Sequence, residues 1–276
     1  MGATRQETES VPTSRFGSDG RSHSVDYSVI TATLNEAENI FDLIQGIDAY
    51  LGRTGKSFEI VVVDDNSSDG TAALVLSCAA QLPNVKLVSR PAPLGIGSAY
   101  LCGIQHSAGR VICTMDADFS HPPEMLPPML AAADTGALVL GSRFLRHGDF
   151  DTLWYRWLPT RLANLWHRWL LRSRVEDHTN GYLAIQRVAL NGLLQAGSAL
   201  GMHPFDRILY GLDLVALARR TQQPVVEQPA KYLFRTRGQT KIKFTRGVRL
   251  FFFELADSLR LSSRLSPARG AEDAKK

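Results

Sequence analysis

The stretch "FEIVVVDDNSSDGT", residues 58–71, decides how the rest of the chain is read. Phe58–Val63 is a nearly continuous run of β-branched and aromatic residues, without the alternation of a strand that is wet on one face. Such a run suits a strand covered on both sides, as in a parallel sheet. Two aspartates end it, and a polar loop follows whose Ser68 or Asp69 is expected to cap the next helix. The same pattern repeats on either side. "YSVITATL" (27–34) leads into a segment with Ile40, Leu43, Ile44, Ile47 and Leu51 on one helical stripe. "VKLVS" (85–89) is followed by the turn "PLGIGSAY" and a helix over 97–108. "VICTM" (111–115) precedes a helix over 124–133, and "ALVLGSRF" (137–144) is a fifth strand. Alternating strands and helices with short connections predict an α/β fold, with a mainly parallel sheet flanked by helices. Ligands of such sheets bind beyond the carboxyl ends of the strands. The residues that follow the strands are Asn35-Glu36, Asp64-Asp65, Asp116-Ala117-Asp118 and Arg143.

The chain of 276 residues is 44% hydrophobic and 21% charged, which fits one large domain or one domain plus an appendage. Its net charge of +4 is unevenly spread. Lys231, Arg235, Arg237, Lys241, Lys243, Arg246 and Arg249 follow one another with no acid between them, a pattern suited to an anionic partner. Cys78, Cys102 and Cys113 have neither metal nor disulfide spacing and lie in apolar context, as buried free thiols of a reducing compartment do. Residues 1–25 lack the apolar core of a signal peptide and are expected to be disordered, as is the C-terminal tail from about residue 265. No apolar run is long enough to span a bilayer.

Beyond residue 150 the pattern changes. "LWYRWLPTRLANLWHRWLLRSR" (153–174) holds four tryptophans, five arginines and no acid. Pro159 is expected in the first turn of its helix, with Leu162, Leu165, Trp166, Trp169 and Leu170 on one stripe. Phe244, Val248, Phe251, Phe252, Leu255, Ala256 and Leu259 form another. Helices of this kind pack on a core, and basic, aromatic ones also suit a membrane interface.

Asp116 and Asp118 share one side of an extended chain and repel each other unless a cation lies between them. Mg2+ and Mn2+ take hard oxygen ligands, usually one or two carboxylates completed by phosphate and water. Asp118 is the direct ligand in this reading, Asp116 binds metal or ribose hydroxyls, and Ser120 adds a hydroxyl ligand or holds a ligating water. Of Asp64 and Asp65, one carboxylate can hydrogen-bond a nucleobase edge while the other braces the loop; Glu36 is a third acid on the same edge, and Arg143 brings a fork of donors for phosphate. Gly95 and Gly97 lack the GxGxxG spacing, and no Walker A sequence occurs, so neither an NAD(P) fingerprint nor a P-loop is supported.

"TLNEAENI", "VVVDDNSSDGT", "GIGSAYLCG", "MDADFSHPP" and "GSRF" occur in the order and spacing of the family 2 glycosyltransferases. Over about residues 27–245 the chain most resembles their polyprenyl-phosphate branch, typified by dolichol-phosphate mannosyltransferase. The resemblance implies a GT-A fold, a nucleotide-sugar donor of the GDP-mannose or UDP-glucose type, Mg2+ or Mn2+, and inversion at the anomeric carbon. It implies that Ala32, Leu34, Glu36, Val63 and Asp65 line the base, and that Asp116 and Ala117 line ribose and diphosphate. It places Asp118, with Asp116 and Ser120, at the metal. Arg143, Arg235 and Lys241 then face phosphate, Arg207 of the nucleotide-sugar site stands where the family has a substrate-side Lys, and Asp118, Arg143 and Arg235 are the catalytic set. Leu183 stands where the family has an acceptor-side Arg. A glycosyltransferase domain is expected over 26–243, with 150–175 as an acceptor- or membrane-side insertion and 244–276 as an amphipathic helix and tail. The expected partners are a lipid-phosphate acceptor and the cytoplasmic face of a membrane, held peripherally, and not nucleic acid. A lipid phosphate is already anionic and needs no general base. A hydroxyl acceptor, on a polysaccharide or a small molecule, needs one, for which Asp116, Asp118 and Asp177 are the motif carboxylates. A sugar-nucleotide pyrophosphorylase would carry glycines after its first strand, and "TATLNEAEN" has none.

Overall fold

The computed structural model describes residues 25–150, 154–232, 258–261 and 263. The expected N-terminal tail, the helix stripe that begins at Phe244, and Arg235, Arg237 and Lys241 lie outside the described residues.

In chain order the elements are β1 (Val25–Thr33), α1 (Ala37–Leu51), β2 (Phe58–Asp64), α2 (Thr71–Gln81), β3 (Val85–Ser89), α3 (Ile96–His106), β4 (Gly109–Asp116), α4 (Leu126–Ala133) and β5 (Leu138–Ser142). There follow β6 (Asp149–Phe150), α5 (Trp154–Leu171), β7 (Leu183–Gln186), α6 (Arg187–Ala199), α7 (Tyr210–Arg220), β8 (Val225–Pro229) and β9 (Lys231–Tyr232). Seven strands form one sheet in the order β3-β2-β1-β4-β7-β5-β8, and β6 pairs with β9 beside it. All neighbours in the large sheet are parallel except β7, which runs antiparallel to both β4 and β5.

The continuous apolar strands are covered on both faces, as their composition requires. On one face Val29, Ile60, Val62, Cys113 and Met115 pack with Ile40, Leu43, Ile44 and Ile47 of α1 and with Leu126, Met129 and Leu130 of α4. On the other, Ile30, Val61, Val63 and Ile112 pack with Ala99, Tyr100 and Ile104 of α3, Leu190 and Leu193 of α6, and Leu214 and Leu217 of α7. Two local expectations change. α2 begins at Thr71 with Gly70 (φ 94°) at its cap, so neither Ser68 nor Asp69 caps it. Asp69 instead accepts from the Thr71 N–H and hydroxyl and from the Ala37 N–H, tying the loops after β1 and β2 together. Pro159 sits inside α5 and not in its first turn. Of the three thiols, Cys78 and Cys113 are buried and Cys102 is half-buried.

Candidate active site

The chain leaves β1 toward β2 and β3 on one side and returns through β4 on the other. The edge between β1 and β4 is therefore the switch point where such sheets open a crevice. Ala32 of β1 sits there in register with Val63 of β2 and Asp116 of β4, so three expected donor-site residues share one row across the strands. Three non-glycine residues with positive φ stand in the loops above this edge: Asn35 (54°), Asn66 (60°) and Phe119 (60°). Left-handed backbone is costly for a bulky residue such as Phe119 and recurs where a site over-determines its loops.

The loops after β1 and β2 are braced by side chains. Asp64 accepts from the hydroxyl and N–H of Ser67 and from the Thr33 hydroxyl. Asn35 takes the Ser68 N–H, and Ser67 takes the Asn35 N–H. Glu36 is nearly buried; its carboxylate accepts from the Asn39 amide and its N–H donates to the Thr71 hydroxyl. Asp65, next to the brace Asp64, forms a two-pronged pair with Arg90 at 2.5 and 2.7 Å, and Arg90 also reaches the Ser98 hydroxyl. Arg90 directly follows β3, so the rule of strand ends points to it as well.

After β4 the chain turns through Asp116-Ala117-Asp118. The Asp116 carboxylate accepts from the Tyr100 hydroxyl at 3.0 Å. Burial, together with the neighbouring Asp116 charge, pushes the Tyr100 phenol well above its usual range, so it stays a donor. One Asp118 oxygen accepts from both the hydroxyl (2.6 Å) and the N–H (3.1 Å) of Ser120, which is buried behind it. Among the described residues no three His, Cys, Asp or Glu side chains gather into a closed metal cage. Two loop carboxylates held by hydrogen bonds nevertheless fit Mg2+ or Mn2+, which take a few protein oxygens and leave the remaining positions to phosphate and water.

Arg143 follows β5 and is buried. Its Nε and one terminal nitrogen grip Asp177 at 2.7 and 2.8 Å, and that terminal nitrogen also donates to Thr179. Asn164 of α5 donates to both Asp177 and Thr179. Phe150 and Tyr232 lie against the guanidinium plane at 4.5 and 5.5 Å, so the two-strand sheet β6-β9 serves as its aromatic wall. Burial alone would raise the Asp177 carboxyl, but the Arg143 charge and its hydrogen bonds outweigh that and hold it below the usual range. Asp177 is fully buried and committed to Arg143, so it is removed as a general base. Arg207 pairs with Asp213 at 3.0 Å. The sheet thus brings Ala32, Val63 and Asp116 together, and Leu34, Glu36, Asp65, Ala117, Asp118, Ser120 and Arg143 follow its strand ends. Arg207 comes from a separate segment packed on α3, while Arg235 and Lys241 lie outside the described residues. Sequence reasoning passed over Tyr100, His121, Asn164 and Asn180.

A switch-point crevice edged by braced acids, with a paired-aspartate loop after β4, defines a GT-A type transferase domain. The chain belongs to glycosyl transferase family 2, whose profile matches residues 28–189. It is 35% identical over 249 residues to polyprenol monophosphomannose synthase of Mycolicibacterium smegmatis, an alignment covering 88% of this chain and 89% of that one. It is 31% identical over 220 residues to dolichol-phosphate mannosyltransferase of Pyrococcus furiosus, covering 78% of this chain and 59% of that longer protein. The fold is shared with glucosyl-3-phosphoglycerate synthase of Mycobacterium tuberculosis, solved with Mn2+, UDP and phosphoglyceric acid (TM-score 0.57, 18% identity, 90% and 81% of the two chains). It is also shared with a mannosyltransferase from Pyrobaculum calidifontis in complex with GDP-Man and Mn2+ (TM-score 0.52, 18% identity, 91% and 78%).

Proposed function

We propose that this chain transfers a hexose, mannose first, from a nucleotide sugar to a polyprenyl phosphate while lying on the cytoplasmic face of a membrane. The observation that carries the reading is the pair Asp116 and Asp118 at and just beyond the end of β4, their carboxylates braced by Tyr100 and Ser120. The identity to relatives named for polyprenol and dolichol-phosphate mannose synthesis supports the acceptor class. Glu36 and Asp65 then face the base, and Asp116 and Asp118 hold Mg2+ or Mn2+. A divalent ion there neutralises charge developing on the departing nucleoside diphosphate. Arg143 presents its remaining donors to phosphate from an orientation fixed by Asp177, and Arg235 and Lys241 of the basic sequence are the further phosphate ligands of this reading. The acceptor phosphate is ionised already and attacks without a base. Asp177, locked to Arg143, is then not needed as a base.

No helix among the described residues is long and apolar enough to cross a membrane. α5 exposes Trp157, Leu158, Leu162, Leu165 and Trp169, an apolar face suited to the interface of a bilayer. The test incubates the protein with GDP-mannose or UDP-glucose, a polyprenyl phosphate and Mg2+ or Mn2+. A new, charged glycolipid is expected from one donor. Asp118→Ala should abolish its formation, and undiminished turnover in that variant would sink the metal assignment.

A further inference from the structure

We infer that His121 is a positioning residue that sets the separation between the Asp116/Asp118 loop and the Arg143 side of the crevice. The inference rests on the transfer reaction proposed above and goes beyond it in naming what spaces the two halves of the site.

The ring is fully buried, and both of its nitrogens are used. Nδ1 lies 3.1 Å from the Asp116 backbone nitrogen. A backbone N–H can only donate, so Nδ1 accepts and the ring proton sits on Nε2. Nε2 donates to the Asn180 Oδ1 at 2.8 Å. The Asn180 amide nitrogen donates in turn to the Gly141 carbonyl at 2.8 Å, two residues before Arg143. One chain of three hydrogen bonds thus runs from the last residue of β4 to β5 through the segment that precedes β7. The ring is stacked on Tyr182 (4.7 Å between centroids, 14°) and meets the edge of Tyr232 (5.7 Å). Tyr232 is also part of the aromatic wall against Arg143. Asp116 is therefore held at two points, its carboxylate by Tyr100 and its backbone by His121.

A phenylalanine would fill the same space on Tyr182 without burying two polar nitrogens. The histidine adds direction: an acceptor on one edge and a donor on the other, spaced to join two strand ends that do not pair with each other. Groups behind metal ligands that fix their orientation commonly change metal affinity or activity by tenfold or more when removed.

The test compares the full-length protein with His121→Phe, His121→Gln and Asn180→Ala. Mn2+ affinity in the presence of GDP is read by calorimetry, alongside kcat and the KM for polyprenyl phosphate. His121→Phe keeps the stacking and loses both bonds. It is expected to weaken Mn2+ binding and lower kcat, each on the order of tenfold, with the acceptor KM within about twofold of the parent. His121→Gln keeps one acceptor and one donor and is expected to recover most of both losses. Adding Asn180→Ala to His121→Phe should cost little more, since both remove one connected chain. A folded His121→Phe protein with parental Mn2+ affinity and kcat overturns the inference. Should that variant fail to melt cooperatively, a folded Asn180→Ala protein with parental Mn2+ affinity overturns it equally. A parent that makes no glycolipid but binds Mn2+ and GDP sinks the transfer reaction, while the calorimetry still decides the role of His121.

Discussion

Beneath α5, the rings of His167 and His178 meet edge to face at 6.0 Å, and no nitrogen of either has a hydrogen-bond partner among the described residues. Burial pushes His167 down to about 4, helped by the nearby Arg207 charge. Burial and the neighbouring His167 push His178 down to about 3; Asp177 opposes this and Arg168 adds to it. Both folded values lie below the unfolded value of 6.5, so the unfolded chain takes up protons first as the pH drops. Stability is therefore lost progressively from about pH 6.5 toward pH 3, by at most about 3 kcal/mol for His167 and about 5 kcal/mol for His178. His178→Gln, which cannot titrate, should flatten the fall in urea-unfolding free energy between pH 6.5 and 4; an undiminished slope would clear the histidine of that role. At this scale the acids were legible because a carboxylate at the end of a continuous apolar strand has little structural reason to be there. Their partners were not. Arg143 finds Asp177 at a separation of 34 residues, and His121 finds Asn180 at 59, distances over which no local pattern speaks.

Among the elements, β1 to β5 and α1 to α4 were readable because their apolar periods are strong and local. β7 and β8 escaped because each is short, and β7 enters between β4 and β5 out of chain order and antiparallel. α5 was legible as a helix but not in its orientation. Leu162, Leu165 and Trp169 of its apolar stripe are exposed, while Ala163, Asn164, His167 and Leu171 face inward. The buried face is thus mixed, with Asn164 donating to Asp177 and Thr179 between apolar neighbours. α3 carries a tight constraint of another kind. A Cβ on Gly97 would lie 2.2 Å from the Phe205 carbonyl and 2.6 Å from that of Arg207, both backbone atoms. Alanine normally stabilises a helix interior relative to glycine. Here Gly97→Ala should instead cost about 1–3 kcal/mol and lower the melting temperature by several degrees, about 3–8 °C. Gly192→Ala in α6, where nothing lies within 4 Å, is the matched control and should hold or raise it. A Gly97→Ala protein that melts with the control would show that the 205–207 segment yields.

For the whole molecule, the membrane contact proposed above rests on the outward apolar face of α5 and on the basic sequence of residues 231–249. Trp169 is 69% exposed and Leu162 52%, so replacing both removes apolar area without opening the core. Each apolar side chain that enters the interface contributes roughly 1.5–3 kcal/mol, so a Leu162→Glu, Trp169→Glu protein should bind phosphatidylglycerol vesicles at least about tenfold more weakly in flotation. Its transfer to a short-chain, water-soluble polyprenyl phosphate should be nearly unchanged, and parental flotation would place the membrane contact elsewhere.

The sheet order also dictates a sequence of assembly during synthesis. β1 to β4 pair in parallel with one another, so the acidic edge can close as soon as residue 116 and its cover have emerged. β5 pairs only with β7 and β8, and Arg143 has no counter-charge until Asp177 arrives. On the ribosome the opposing cation thus meets its partner once residue 177 has emerged, and the second face of the acidic half is covered only when α6 and α7 follow.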